Sequence, residues 1–208
     1  MILYGNFKSN RYYFFTFMYF PITMKIIWIT WSLAAGKGTI VDYLVEKKGF
    51  VHYSVRAFLI EEIKRRNLPV DRDSMRIVGN DLRASHHPAY LIEQLYLQAV
   101  EKGQNAIIES VRAVGEVTLL QQQPDFVLLA VDADQRLRYQ RATSRGNESD
   151  HVSFEKFQEQ EEAEMHNTDP AKLNIAKCME MANFTVYNNG DLATLHQQLD
   201  EFITTFIS

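Results

Sequence analysis

One cysteine, Cys178, stands in a chain of 208 residues. A lone thiol forms no intrachain disulfide, and no Cys/His cluster has the spacing of metal ligands, so disulfide scaffolds and zinc modules are excluded. A reducing cytoplasm is the expected compartment. Charge of one sign is not in excess: 22 Lys+Arg against 26 Asp+Glu leave a net charge of −4, which argues against a nucleic-acid partner. No uncharged run reaches the ~20 residues that span a bilayer. Internal repeats and low-complexity linkers are also absent.

A hydrophobic fraction of 46% with 23% charged residues fits one globular domain with a sizeable core. The odd segment is the start, where the run from Tyr12 to Met24 is aromatic and uncharged after Lys8 and Arg11. It imitates a signal peptide but has no small-residue cleavage site. Residues 1–23 are therefore expected to be an extension, either a start placed too far upstream or a poorly packed segment, with the domain occupying 24–208. A membrane contact by this run is the disfavoured alternative.

From Lys25 onward short apolar runs alternate with longer amphipathic stretches. Strands are expected at 25–30, 50–53, 105–109, 125–131 and 184–187. Helices are expected at 37–48, 55–67, 73–85, 88–102, 114–122, 135–145, 153–165, 171–181 and 192–206. Such alternation specifies an α/β fold, a parallel sheet covered by helices on both faces.

In such folds the chemistry sits beyond the carboxyl ends of the strands. The first strand ends in "TWSLAAGKGTI", residues 30–40. Set against G-x-x-x-x-G-K-[ST], Gly36, Lys37, Gly38 and Thr39 fit a phosphate loop. In such a loop backbone N–H groups wrap phosphates and the lysine neutralises charge. Trp31, however, takes the place of the first glycine, and Ala34 that of a second glycine used in kinase versions of the loop. An alanine in a left-handed conformation costs about 1–2 kcal/mol, and an indole must go into the sheet face or over the cleft. Other polar residues have two readings each. Arg138, Arg141 and Arg145 fall on one helical face, as a phosphate comb or a solvated basic face. Glu109 ends the third strand, where a carboxylate can hold Mg²⁺ through water or orient an acceptor. Arg112 binds an acceptor phosphate or pairs with a carboxylate such as Glu116. The basic run from Lys64 is interrupted by Asp71 and Asp73, so it reads as a polar elbow.

The order of these segments, with Ser54-Val55-Arg56, "GNDLR" at 79–83, "IIESVRAVGEV" at 107–117, "AVDADQRLRYQRATSR" at 130–145 and "MANFTVYNNGDL" at 181–192, resembles the nucleoside-monophosphate kinase group of P-loop proteins. Dephospho-CoA kinases and their archaeal and bacterial relatives are the nearest in pattern. The resemblance implies a five-stranded parallel sheet ordered 2-3-1-4-5, an acceptor-binding segment over 54–104 and a helical lid over 138–170. It also implies ATP and Mg²⁺ as donor and cofactor, and a small nucleotide-like acceptor as the partner. By the same resemblance Ala35, Gly36, Lys37, Gly38, Thr39, Ile40, Asn188 and Gly190 contact ATP, and Arg56, Arg83 and Arg112 contact the acceptor. Lys37, Glu109, Arg141 and Arg145 carry the transfer, with Thr39 and Glu109 near the metal. Arg141 and Arg145 are favoured over Arg138. With Trp31 and Ala34 departing from the pattern, the expectation is a kinase with a weakened site; the alternative is a catalytically inactive module that senses nucleotide or binds a partner.

Overall fold

A computed structural model describes residues 24–123, 126–144, 152–168 and 172–207, apart from the side chain of Arg72. The extension at 1–23 and Arg145 lie outside the described residues. Five strands form the sheet: β1 (Ile26–Trp31), β2 (Val51–Tyr53), β3 (Ala106–Glu109), β4 (Val127–Asp132) and β5 (Phe184–Tyr187). All pairings are parallel and the order is β2-β3-β1-β4-β5, as the resemblance implied. Among the described residues the helices are α1 (Lys37–Lys48), α2 (Val55–Arg65), α3 (Arg72–Ser85), α4 (Tyr90–Lys102), α5 (Val114–Leu120), α6 (Gln135–Ser144), α7 (Phe154–Met165), α8 (Ile175–Glu180) and α9 (Leu192–Phe206).

The two cores follow from the period-2 alternation of a strand covered on both faces. Ile26 and Trp28 of β1 point to the layer of α2, α3, α4, α5 and α8, where Leu59, Ile63, Leu91, Leu95 and Val117 are buried with them. Ile27 and Ile29 point the other way, against Ile40 and Leu44 of α1 and Leu195, Leu199 and Phe202 of α9. A third cluster packs Ala34 against Ala142 of α6 and Phe157 of α7. Left-handed glycines, Gly49 and Gly103, end α1 and α4 by donating to carbonyls of the last turn. The basic elbow after α2 is neutralised internally, with Arg65 and Arg66 on Glu62 and Arg66 also on Asp81. No described helix is long and apolar enough to cross a membrane.

Candidate active site

β1 sits at the centre of the sheet, so the loop that follows it opens over the carboxyl edge. Trp31 is still part of the strand, in register with Val131, and the Ser32 N–H extends the ladder to the Val131 carbonyl at 3.1 Å. Its backbone is not among the left-handed residues. A glycine is thus not required at that position: the strand runs one residue beyond the expected 25–30. Ala34 differs, since its φ of 61° places it in the left-handed region as the glycine pattern implied. Gly36 has φ 93°, and a Cβ on it would run into the side-chain amide of Asn188. Two independent constraints thus demand glycine there.

α1 begins at Lys37 with no side-chain cap on its first turn. Its leading N–H groups and the positive end of its dipole face the loop, an arrangement suited to an anion. The Lys37 ammonium is ion-paired with the carboxylate of Glu109 at the end of β3. Glu109 is only 5% exposed, and the lysine supplies the partner that a buried carboxylate needs. The second Glu109 oxygen is 3.4 Å from His52 Nε2. Burial first, and the Lys37 charge second, hold the His52 imidazole below its usual pKa, so it is neutral near pH 7. Trp31 lies beside this group, with Lys37 Nζ 5.1 Å and Arg112 Cζ 5.2 Å from its ring centroid. The indole packs on the α1–α9 face.

Two clefts open near the carboxyl edge of the sheet. The first, about 680 Å³, is lined by Gly36, Thr39, Leu137, Gln140, Arg141, Ser144, Asn188 and the turn from Gly190 to Leu192. Asn188 holds it together: its side-chain amide donates to the Ala35 carbonyl at 2.9 Å, and its own carbonyl accepts from Arg141 Nη1 at 2.8 Å. Of the residues expected around ATP, Ala35 and Ile40 are fully buried under the loop, so their side chains face the core. Gly38 and Thr39 are exposed at the open end of α1. Arg138 is 4% exposed and leaves the comb: it is paired with the buried Glu161 of α7, and donates to the carbonyls of Ala133 at 2.8 Å and Leu33 at 3.0 Å. Ser32 donates to Asp132, closing the same region.

The second cleft, about 550 Å³, includes Arg76, Asn80 and Arg83 of α3, Ser110 and Arg112 after β3, Glu116 of α5, and Lys172. Arg83 and Lys172 make no hydrogen bond or ion pair with other described residues. The Arg112 guanidinium pairs with Glu164 of α7 at 2.8 Å, whereas Glu116 accepts the backbone N–H groups of Arg112 and Ala113 at 2.8 and 3.1 Å. Of the two readings of Arg112, acceptor phosphate or a carboxylate such as Glu116, the structure shows an ion pair, and its carboxylate is Glu164. Burial drives the Glu116 pKa up, against those two N–H groups. Cations therefore dominate this cleft. Ser110 has φ 82°, a strained non-glycine backbone of the kind concentrated at ligand sites. Arg56 is exposed and lines neither cleft.

Arg76, Asn80, Ser110 and Lys172 were not anticipated. Arg76, Asn80 and Arg83 share one face of α3 at i, i+4 and i+7, a spacing that could have drawn attention to them together. Lys172 precedes α8 in a loop brought to the cleft by the Ala113–Leu173 bridge and the Asn174 N–H to Arg112 carbonyl bond at 2.9 Å. The helical pattern expected over 171–181 places it on a helix and does not point it at this cleft.

Residues 34–158 match the family described as an AAA domain. The chain is 27% identical to a UPF0200 protein of Pyrobaculum aerophilum over 171 residues, covering 81% of this chain and 91% of that protein. Among solved structures it is similar to TT1252 from Thermus thermophilus, with TM-score 0.55 and 18% identity over 89% of this chain and 99% of that one. It is similar as well to shikimate kinase from Bacteroides thetaiotaomicron, with TM-score 0.54 and 11% identity over 88% and 98%. The architecture is that of the P-loop kinases.

Proposed function

This chain belongs to the AAA domain family, and from that premise we propose that it is an ATP-dependent kinase acting on a small anionic acceptor, of nucleoside-monophosphate or dephospho-CoA type. The supporting observation is a cleft at the uncapped start of α1, the helix whose first residue is Lys37, together with a second, cationic cleft beyond β3. ATP phosphates lie on the N–H groups of Gly36 to Thr39, and the adenine end lies by Asn188, Gly190 and Leu192. Arg83, Arg112 and Lys172 receive the acceptor's anionic group, and Arg76 extends the patch. An acceptor oxygen attacks the γ-phosphorus, the bond to the bridging oxygen of ADP breaks, and the acceptor's proton leaves toward solvent or Glu109.

Catalysis of this kind is mainly positioning and charge neutralisation. Lys37 must leave Glu109 for the phosphates, which frees the carboxylate to orient the acceptor. Thr39 and Glu109 fit Mg²⁺ as well: the Thr39 residue is exposed in the donor cleft and the Glu109 carboxylate lies beside the lysine. When bound with ATP, the ion neutralises charge on the phosphate oxygens. Arg141 and Arg145 act on the transferring group within a lid that spans 138–170, and the 54–104 segment forms the acceptor side.

A second reading, a catalytically inactive module that senses nucleotide or binds a partner, is favoured by the strained Ala34 and by a lysine held on Glu109. One experiment separates the two. The full chain is screened for ADP release with ATP and Mg²⁺ against nucleoside monophosphates and dephospho-CoA, with Lys37→Ala as the control. Acceptor-dependent ADP release that disappears in Lys37→Ala supports the kinase. ATP binding by calorimetry without any acceptor-dependent release supports the module.

A further inference from the structure

We infer that Trp31 is a positioning residue that couples the donor and acceptor sites through its indole. The inference rests on the proposed kinase function and adds a residue outside the matched 34–158 span. Its ring holds the ammonium of Lys37 at 5.1 Å and the guanidinium of Arg112 at 5.2 Å. Lys37 belongs to the donor loop and Arg112 lines the acceptor cleft. Two like charges would ordinarily separate, and the negative π face attracts both.

Each cation is restrained from a second direction by a carboxylate. Glu109 holds Lys37 and Glu164 holds Arg112, so a chain of contacts runs Glu109, Lys37, Trp31, Arg112, Glu164 from the end of β3 to α7. A cation–π contact fixes the direction of a cation without using up its N–H donors. Arg112 Nε is buried and has no hydrogen-bond partner among the described residues. An acceptor anion would supply that missing partner. Trp31 is anchored for this role by its pairing with Val131 and by packing on the same core as Ile27 and Ile29. A change on the Arg112 side is thereby transmitted to the lysine that meets ATP.

The test is a double-mutant cycle on the full chain, with ATP affinity read by calorimetry in the parent, Trp31→Leu, Arg112→Leu and the double variant. Trp31→Leu is expected to weaken ATP binding about tenfold. Arg112→Leu is expected to weaken it about threefold in the parent and to add nothing in the Trp31→Leu background. Trp31→Phe, which keeps an aromatic face, retains most of the affinity and shows that packing alone is not the cause. Unchanged affinity in Trp31→Leu, or losses that multiply in the double variant, would overturn the inference. So would equal losses in Trp31→Phe and Trp31→Leu. Should the parent not bind ATP, the proposed function fails, and the same four proteins are titrated with inorganic tripolyphosphate. A coupled loss there sustains the positioning role independently, and no binding of either anion by the parent overturns both.

Discussion

Lys37 and Glu109 are ion-paired across the carboxyl edge of the sheet, joining the first residue of α1 to the last residue of β3. The lysine is thus held by protein where phosphate would otherwise neutralise it. Glu109→Gln keeps the shape and removes the charge. ATP affinity should stay constant or tighten a few-fold, while turnover falls about a hundredfold or more, because the carboxylate is needed after the lysine has moved. Calorimetry and steady-state kinetics on the same preparation read the two effects separately. A parallel loss of affinity and turnover would reject this division of roles.

Gly36 should tolerate no side chain. Alanine there combines left-handed strain with a collision against the Asn188 amide, and is expected to lower stability by about 2 kcal/mol or more. Asn188→Ala leaves the Ala35 carbonyl without its side-chain donor and should cost about 1–3 kcal/mol. Gly38 is the control: its Cβ would meet nothing within 4 Å, so Gly38→Ala should be neutral or stabilising by about 0.5–1 kcal/mol. Urea unfolding of the three variants ranks them.

Arg138 and Glu161 are a buried pair, 4% and 6% exposed. Removing one partner strands the other, so Arg138→Met alone should destabilise by about 3–5 kcal/mol, and Arg138→Met with Glu161→Leu should recover most of the loss. Equal destabilisation by the single and double changes would show that the hydrogen bonds to Leu33 and Ala133 dominate instead.

His52 gives the fold an acid-sensitive element. Its folded pKa lies below the unfolded value near 6.5, so the unfolded chain binds the proton more readily and stability is lost as pH falls. The contribution is complete above about pH 6.5 and declines below it. In His52→Gln the melting temperature should change less between pH 7 and pH 5 than in the parent. An identical slope would remove His52 from the cause.

The fold was legible because each strand combines a short apolar run with a polar turn. The expected 37–48, 184–187 and 192–206 coincide with α1, β5 and α9, and other ends shift by a few residues. The largest shift is α8, which begins at Ile175 where 171 was expected; its N-cap Asn174 accepts from the Lys177 N–H. The turn at Gly36 and the helix start at Lys37 were legible as local chemistry, since glycine and lysine next to a helix start carry their own signature. Arg138 was ambiguous because a helical face does not say whether Glu161, in another helix, will cover it. Trp31 was similar: sequence gives the bulk of an indole but not the two cations that converge on it from α1 and the β3–α5 loop. Lys172 fell inside the helix expected at 171–181 but precedes α8, so only the tertiary bridge at Leu173 reveals its place.

The bond from Asn188 to the Ala35 carbonyl also sets an order of events during synthesis. A ribosome that has delivered the chain through β4 has already made the phosphate loop, Lys37, Glu109 and the central strands. The donor cleft still lacks its far wall, because Asn188, Gly190 and Leu192 have yet to be translated. On the proposed function, nucleotide would therefore reward only a nascent chain that has emerged past its fifth strand, making ligand binding a late checkpoint on the finished fold rather than a seed for it.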